Sequence, residues 1–182
     1  MAFKRFDTPI EDLLLIEPDF FSDSRGFFME SYNEKGFAEI GITIKFVQDN
    51  LSQSTAGTLR GLHFQKTPYS QGKLVFVPVG EVLDVVVDLR KKSSTYGQSF
   101  SVILSDENKR MLYVPPGFAH GFLVKSDKAI FSYKCTDFYN KSAEGGLLWN
   151  DPSLTIDWGI SNPVLSDKDK NYPPFRDFQS PF

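Results

Sequence analysis

The stretch Thr58-Leu59-Arg60-Gly61-Leu62-His63-Phe64-Gln65 decides the fold of this chain. Its apolar residues alternate with other residues at a period of two, which is typical of a half-buried β-strand. A polar turn at residues 67–72 follows, and the chain continues as Lys73-Leu74-Val75 with the same kind of pattern. The sequence therefore predicts two strands that are joined by a turn and carry cationic side chains.

Three side chains of these strands can carry positive charge. Lysine and arginine are seldom fully buried without a partner, so Arg60 and Lys73 indicate a strand face that lines a polar cavity. His63, one of two histidines in the chain, would be a ready general base for a negatively charged substrate. The alternative is a hairpin with solvated cations, in which His63 only satisfies a hydrogen bond.

The composition limits the class of protein. The chain has 182 residues, of which 41% are hydrophobic and 15% aromatic, so we expect one ordered domain over residues 1–182. A net charge of −3 makes nucleic acid an unexpected partner. The single Cys135 permits no intrachain disulfide, and no run of about 18 apolar residues predicts a membrane helix. We therefore expect a soluble, cytoplasmic protein with no membrane partner.

Strand patterns also occur along the rest of the chain. A cap at Asn33 and a stop at Gly41 predict one or two helical turns between them. Beyond Tyr139, glycines and prolines predict an irregular tail. About ten short strands without a long amphipathic helix predict an all-β sandwich or barrel. Besides the two strands at 59–65 and 73–79, we expect strands at 13–17, 27–32, 42–48, 81–89, 99–104, 110–114, 122–125 and 129–138.

Metal and nucleophile chemistry have weak support in the sequence. His63 and His120 with a carboxylate such as Glu81 could form a facial triad, but two histidines are few for a metal site. Cys135 lies in an apolar run without an adjacent base, and no Gly-x-Ser-x-Gly motif occurs. The residues favour metal-free acid–base chemistry or simple binding.

Several long motifs resemble the dTDP-4-dehydrorhamnose 3,5-epimerase family. The match is collinear from about residue 17 to 169, and its motifs are Phe46-Val47-Gln48-Asp49-Asn50, Arg60-Gly61-Leu62-His63-Phe64-Gln65, Gln71-Gly72-Lys73-Leu74-Val75, Gly80-Glu81-Val82-Leu83-Asp84-Val85, Pro116-Gly117-Phe118-Ala119-His120-Gly121-Phe122, Trp149-Asn150-Asp151-Pro152 and Leu165-Ser166-Asp167-Lys168-Asp169. The resemblance implies a cupin-like jelly-roll barrel with short helical turns and an irregular C-terminal tail. It also implies a homodimer, no cofactor, and inversion at C3 and C5 of a dTDP-4-keto-6-deoxyhexose.

The resemblance assigns four catalytic roles. His63 would be the base that removes a proton beside the C4 ketone, and Asp169 would hold its other ring nitrogen. Asp84 is a second candidate partner for His63 that the sequence does not rank below Asp169. Lys73 would stabilise the enolate oxygen. Tyr133, a phenol that stays protonated at neutral pH, would return a proton from the opposite face.

The resemblance also assigns ligand contacts. Arg25, Arg60 and Lys168 would bind the diphosphate. Tyr139 would stack on thymine, with Phe28 of the partner subunit on the other side. The remaining expected contacts to sugar, base or supporting groups are Glu30, Gln48, Asp49, Asn50, Lys73, His120 and Glu144.

Two details of the pattern need a structural answer. Strict alternation would place Arg60 and His63 on opposite faces of their strand, so we expect a bulge or kink at Gly61 if both face the ligand. Phe76 stands where the family usually has an arginine, and we expect that position to lie outside the catalytic set.

Three other functions remain open from the sequence. The first is an epimerase of the same fold that inverts only C3 or only C5. The second is a non-catalytic cupin that binds a sugar nucleotide or another anion, and the third is a metal-dependent cupin.

Overall fold

The chain folds into two open β-sheets that pack face to face. The computed structural model describes residues 1–182 and contains thirteen strands and one α-helix. The strands are β1 (Phe3–Asp7), β2 (Leu14–Pro18), β3 (Phe20–Asp23), β4 (Gly26–Met29), β5 (Gln48–Thr55), β6 (Leu59–Gln65), β7 (Lys73–Val79), β8 (Glu81–Asp88), β9 (Ser99–Ser105), β10 (Met111–Val114), β11 (Phe118–Val124), β12 (Lys128–Cys135) and β13 (Glu144–Gly146). The all-β prediction is confirmed.

The two packed sheets have different strand orders. One sheet has six strands in the order β1-β2-β10-β7-β12-β5, and the other has five in the order β13-β6-β11-β8-β9. All of the strand pairs are antiparallel. Strands β3 and β4 form a separate two-stranded hairpin.

Alternation along the strands produces three apolar layers. The layer between the sheets contains inward-facing residues of both, including Val75, Val86, Phe122 and Phe131. The outer face of the five-stranded sheet is covered by the C-terminal tail, from which Trp158 contributes. Burying apolar surface is worth about 25 cal/mol per Å², so these three layers supply the main stabilisation of the fold.

The outer face of the six-stranded sheet is covered by helix α1 (Glu34–Glu39), which buries Phe37. Asn33 caps the helix, because its Oδ1 accepts hydrogen bonds from the backbone N–H groups of Lys35 and Gly36. The predicted cap at Asn33 is confirmed. Phe76 belongs to this outer layer, so its side chain lies on the opposite face of β7 from the interior. None of the helices has the length and apolar character needed to span a membrane.

A β-bulge interrupts β6 at Gly61. His63 pairs with His120 and Arg60 pairs with Phe122 of β11, so two residues of β6, Gly61 and Leu62, oppose one residue of the neighbouring strand. Leu62 points into the outer layer under the tail, whereas Arg60 and His63 both line the cavity between the sheets. The predicted bulge is confirmed.

Several predicted boundaries were wrong. The strand expected at 42–48 lies instead at Gln48–Thr55, because the ladder with β12 makes this polar segment a strand. The strand expected at 122–125 begins already at Phe118 and includes His120. Strand β1 was not predicted. The pair Gly145-Gly146 was expected to break regular structure but is part of the short edge strand β13.

Replacing Gly61 with alanine should destabilise the fold. Gly61 has φ of +142°, and a Cβ there would lie 2.5 Å from the Cα of Gly121. We expect the free energy of urea unfolding to fall for two reasons. Backbone strain should lower it by about 1 kcal/mol, and overpacking should lower it by about 1–3 kcal/mol more. Gly57→Ala is the matched control, because Gly57 also has positive φ (+72°) but its nearest neighbour would be 3.6 Å away. Equal losses in the two variants would contradict the steric argument.

Candidate active site

A cavity of about 430 Å³ opens between the two sheets beside the bulge. The five-stranded sheet supplies one wall through β6 and β11, and the six-stranded sheet supplies the facing wall through β7 and β12. The tail closes a third side with residues between Val164 and Asp169. Seven of the predicted site residues line this cavity: Arg60, His63, Lys73, His120, Tyr133, Lys168 and Asp169.

His63 forms a close pair with Asp169. The Nε2 atom of His63 lies 2.5 Å from the Oδ1 atom of Asp169, and the Asp169 side chain is only 4% exposed. Asp84, the other candidate partner, is hydrogen-bonded to His120 instead. The structure therefore brings Asp169, and not Asp84, to His63.

The C-terminal tail brings Asp169 to His63, although the two residues are 106 positions apart in the sequence. The backbone N–H of Leu59 donates to the carbonyl of Val164, and the N–H of Val164 donates to the carbonyl of Gly57. These bonds lay the tail along the start of β6. Asp169 then opens a 3₁₀ turn, and its N–H donates to the Oγ of Ser166 at 3.1 Å.

Opposing effects set the pKa of Asp169. Burial raises the pKa, but the hydrogen bond and charge of His63 together with the hydrogen bond to Ser166 and the charge of Lys168 outweigh it. The pKa of Asp169 therefore lies below its ordinary value, and the group is a carboxylate that can stabilise an imidazolium.

Lys73 and Tyr133 face His63 from the other sheet. Lys73 pairs with Cys135 and Tyr133 pairs with Val75 in the ladder between β7 and β12, which places both side chains on the inner face. The Nζ atom of Lys73 lies 5.8 Å from the centroid of the Tyr133 ring.

Burial changes the acidity of both groups. It raises the pKa of Tyr133, so the phenol keeps its proton. It lowers the pKa of Lys73, against the opposing effect of negative charge on Cys135 and Asp84. Burial also raises the pKa of Cys135, so the thiol of this buried residue keeps its proton.

A second cavity of about 270 Å³ adjoins the first. His63, Lys73 and Tyr133 line both cavities, so the two form one continuous groove around these three residues. The second cavity also collects four of the expected ligand contacts, which are Gln48, Asn50, Tyr139 and Glu144.

Polar side chains of this groove are connected to each other. The hydroxyl of Tyr139 donates to Oε2 of Glu144 at 3.1 Å, and Lys168 forms an ion pair with the same carboxylate. Gln48 donates from Nε2 to the Oδ1 of Asn50 at 3.0 Å. Across the groove, Arg60 donates from Nε to the Oγ of Ser54 at 3.0 Å, which fixes the guanidinium beside the cavity.

Four expected contacts lie elsewhere within this chain. Asp49 points to the opposite face of β5, where it pairs with Lys134 at 2.9 Å, because alternation separates it from Gln48 and Asn50. Arg25 and Phe28 belong to the projecting hairpin, and Glu30 follows it close to the N-terminus. Arg25 forms a salt bridge with Asp23 at 2.6 Å, and its side chain is 88% exposed.

Comparisons with known proteins identify the family of this chain. A family model described as dTDP-4-dehydrorhamnose 3,5-epimerase matches residues 7–177. This chain belongs to that family. A dTDP-4-dehydrorhamnose 3,5-epimerase of Shigella flexneri is 57% identical over 171 residues, which are 93% of this chain and 94% of the relative.

Solved structures of epimerases share the fold. A 3,5-epimerase of Legionella pneumophila in complex with dTDP-4-keto-L-rhamnose is 48% identical, with a TM-score of 0.93 over 98% of this chain and 95% of that one. A 3'-monoepimerase of Streptomyces bikiniensis is 32% identical, with a TM-score of 0.87 over 96% of this chain and 86% of that one. The predicted cupin-like fold is confirmed by these epimerase neighbours.

Sequence reasoning missed Tyr172 as a neighbour of the epimerase site. Its ring lies 5.7 Å from the His63 ring at an angle of 63°. A Cβ on Gly146 would lie 2.5 Å from the Tyr172 ring, so the absent side chain leaves the space for it. The signal in the sequence is the Gly145-Gly146 pair, which also predicts a break in regular structure.

The candidate metal ligands do not converge on one position, although His63 and His120 are neighbours across β6 and β11. His63 uses Nε2 for Asp169, and His120 uses Nε2 for Asp84. No three His, Cys, Asp or Glu side chains converge on a position that could hold a metal ion. The His63, His120 and Glu81 triad is therefore not assembled.

The pair between His63 and Asp169 predicts a pH-dependent contribution to stability. Because the pKa of Asp169 is lowered in the folded state, its contribution is present above the unfolded value of about 4 and is lost as pH falls through the folded value. The difference in free energy of urea unfolding between the wild type and Asp169→Asn should therefore shrink as pH is lowered from 7 to 3. Asp167→Asn is the control, because Asp167 is 97% exposed and should give a nearly constant difference. A constant difference for Asp169→Asn would contradict the prediction.

Proposed function

We propose that this chain converts dTDP-4-dehydro-6-deoxy-D-glucose to dTDP-4-dehydro-L-rhamnose by inverting C3 and C5, a step of dTDP-L-rhamnose biosynthesis. It is an isomerase that acts on a dTDP-4-keto-6-deoxy sugar. One observation carries the mechanism: His63, held by Asp169, projects from one sheet, whereas Tyr133 and Lys73 project from the facing sheet into the same groove.

The first step is removal of a proton from a carbon next to the C4 ketone. The C–H bond breaks, its proton goes to His63, and its electron pair moves onto the C4 oxygen to form an enolate. Asp169 holds the imidazole ring and stabilises the positive charge that His63 gains.

The enolate needs a fixed positive charge in a site with little water. Lys73 fits this role, because it lies at the junction of the two cavities and points between the walls. Losing one donor of this kind costs about 2.7–4 kcal/mol of transition-state stabilisation.

Inversion requires that the new proton arrive from the opposite face of the sugar. Tyr133 donates its hydroxyl proton to the carbon while the enolate returns to the ketone, and its raised pKa keeps that proton available. The same base and acid serve C3 and C5 in turn, because both carbons flank one ketone. Between the two rounds, His63 releases its proton to water and the Tyr133 phenolate takes one from water. No metal or cofactor enters the proposed reaction.

The nucleotide is held by the remaining groove residues. Arg60 and Lys168 bind the diphosphate as charge-assisted donors, and Tyr139 stacks on thymine. Gln48, Asn50, His120 and Glu144 contact the sugar or the base. Asp49 is not retained in this proposal, because it faces away from the groove.

Labelling in heavy water tests the proposal directly. The wild type, incubated with dTDP-4-dehydro-6-deoxyglucose, should incorporate solvent deuterium at both C3 and C5, as read by NMR of the sugar ring. His63→Asn should abolish incorporation at both carbons. Tyr133→Phe should lose inversion, because the opposite-face donor is missing, while His63 still exchanges protons.

The outcomes separate the alternatives. Deuterium at only one carbon would replace the proposal with a single epimerase, the activity named for the Streptomyces bikiniensis neighbour. Unchanged turnover by His63→Asn with retained dTDP binding would contradict the catalytic role of His63. Binding of dTDP without any turnover by the wild type would favour the non-catalytic cupin, and activity that depends on stoichiometric metal would favour the metal-dependent one.

We propose further that residues 1–182 form one domain that works as a cytoplasmic homodimer. The hairpin supports this proposal, because Phe21 and Phe28 are 66% and 67% exposed and contact no core of their own chain. The same hairpin carries Arg25, and Glu30 follows it. A second copy would receive these residues at its groove and would cover the apolar surface.

Subunit complementation tests the dimer. His63→Asn and Arg25→Ala homodimers should each have low activity, because every site lacks one group. Mixing them under conditions that exchange subunits should restore about a quarter of wild-type activity, since half of the dimers are mixed and each has one intact site. Mixing His63→Asn with Tyr133→Phe is the control. Both groups of a site come from one chain, so each site of a mixed dimer still lacks either His63 or Tyr133 and no activity should return. No restoration in the first mixture would contradict exchange of the hairpin.

A further inference from the structure

Tyr172 packs against His63, and the catalytic roles proposed above do not use it. The two ring centroids lie 5.7 Å apart and the ring planes meet at 63°, which is an edge-to-face type of contact. Tyr172 lines neither of the two cavities, so its ring is not placed to touch the sugar nucleotide. An effect of Tyr172 on the reaction therefore passes through a neighbour, and the neighbour in contact is the proposed base.

A 3₁₀ turn of the tail brings Tyr172 and Asp169 to His63 together. The turn spans Asp169–Asn171, and Tyr172 follows it directly. A 3₁₀ helix has three residues per turn, so side chains at positions i and i+3 project in the same direction. The carboxylate of Asp169 accepts from Nε2 of His63, and the ring of Tyr172 packs on the imidazole. One turn of the chain thus supplies both contacts.

The strand next to His63 leaves room for the Tyr172 ring. Gly146 of β13 is the cross-strand partner of His63 in β6. A Cβ on Gly146 would lie 2.5–2.6 Å from three ring carbons of Tyr172, so a larger residue at this position would displace the ring. The ring therefore occupies the space from which a side chain of the neighbouring strand would pack on His63.

The contact with His63 is made by the ring of Tyr172 and not by its hydroxyl. The hydroxyl oxygen is enclosed in the protein and has no hydrogen-bond partner. Burial raises the pKa of Tyr172, so the hydroxyl is uncharged at neutral pH. An unpaired buried hydroxyl is unfavourable, so it does not account for the packing of this side chain. A role that needs only the ring should survive replacement by phenylalanine.

We propose that Tyr172 is a positioning residue that holds the imidazole of His63 in the orientation in which Asp169 binds Nε2 and Nδ1 faces the sugar. A single hydrogen bond fixes one atom of a ring and leaves its tilt free, whereas a packed neighbour restrains the plane. A displacement of about 1 Å at a reacting group can cost about 100-fold in rate. The inference rests on the proposed function for its catalytic consequence, but not for the orientation of His63.

NMR of the imidazole rings tests the orientation without any substrate. The chain has two histidines, so ¹⁵N-labelled protein gives two sets of ring signals, and those of His63 are absent in His63→Asn. We expect the Nε2–H signal of His63 to persist in Tyr172→Phe and to be lost to exchange with water in Tyr172→Leu, because the imidazole is then free to leave Asp169. The signals of His120 are the internal control and should not change. A His63 signal that is already lost in the wild type, or that is unchanged in folded Tyr172→Leu, would overturn the inference.

Kinetics on the keto sugar nucleotide supply the second measurement. We expect kcat to fall by about ten- to a hundred-fold in Tyr172→Leu and to stay near the wild-type value in Tyr172→Phe, with KM little changed in both. Equal losses in the two variants would contradict a role of the ring. A higher KM with unchanged kcat would also contradict the inference, because it would assign the ring to Lys168, whose Nζ lies 5.9 Å from the ring centroid. A wild type without epimerase activity would refute the proposed function, and the NMR signals would still decide the role of Tyr172.

A second variant keeps the test decisive if Tyr172→Leu does not fold. Gly146→Ala leaves Tyr172 in the chain but places a Cβ where its ring lies, so we expect the same loss of the His63 signal. Gly145→Ala is the matched control, because its Cβ would lie 2.5 Å from the ring of Phe64, which belongs to the outer layer under the tail. An equal effect of the two variants on His63 would show a general disruption of β13 and would contradict a specific role of Tyr172.

Discussion

The backbones of β6 and β11 approach each other closely at Gly61 and Gly121, and the site depends on this contact. A Cβ on Gly61 would lie 2.5 Å from the Cα of Gly121, and a Cβ on Gly121 would lie 2.7 Å from the carbonyl oxygen of Arg60. The bulge that this contact allows shifts the register by one residue. Without the shift, Arg60 and His63, the proposed phosphate-binding cation and the proposed catalytic base, would face opposite sides of the sheet.

Electrostatics in the groove follows from how its charges are paired. Each of the three carboxylates has a nitrogen partner: Asp169 binds His63, Glu144 binds Lys168, and Asp84 binds His120. Pairing lowers the cost of burying a carboxylate, and it orients the nitrogen groups of His63, Lys168 and His120, which line the cavity. Lys73 forms no salt bridge, which suits its proposed role of stabilising the negative charge of an enolate.

The sequence was sufficient for the local features and for most of the residues that line the groove. Alternation in β6, the cap at Asn33 and the need for a bulge at Gly61 all follow from rules that act over a few residues. The choice between Asp84 and Asp169 as the partner of His63 could not be made, because it depends on a tail that returns to β6 after about a hundred residues. Strand β5 was misplaced for a similar reason: its polar sequence becomes a strand only through the ladder with β12.

The proposed base and the proposed acid lie on different sheets, and this arrangement suits the inversion proposed for this fold. His63 belongs to the five-stranded sheet and Tyr133 to the six-stranded sheet, so the separation of the two groups is set by the packing distance of the sheets. That distance is fixed by the apolar layer between them, in which Phe131 stacks on Phe122 at 4.1 Å next to the cavity floor. Since packed interiors resist compression, the groove keeps His63 and Tyr133 on opposite sides of any ring bound between them. In the proposed reaction, a sugar that loses its proton to one wall can then regain a proton from the other without a movement of the protein backbone.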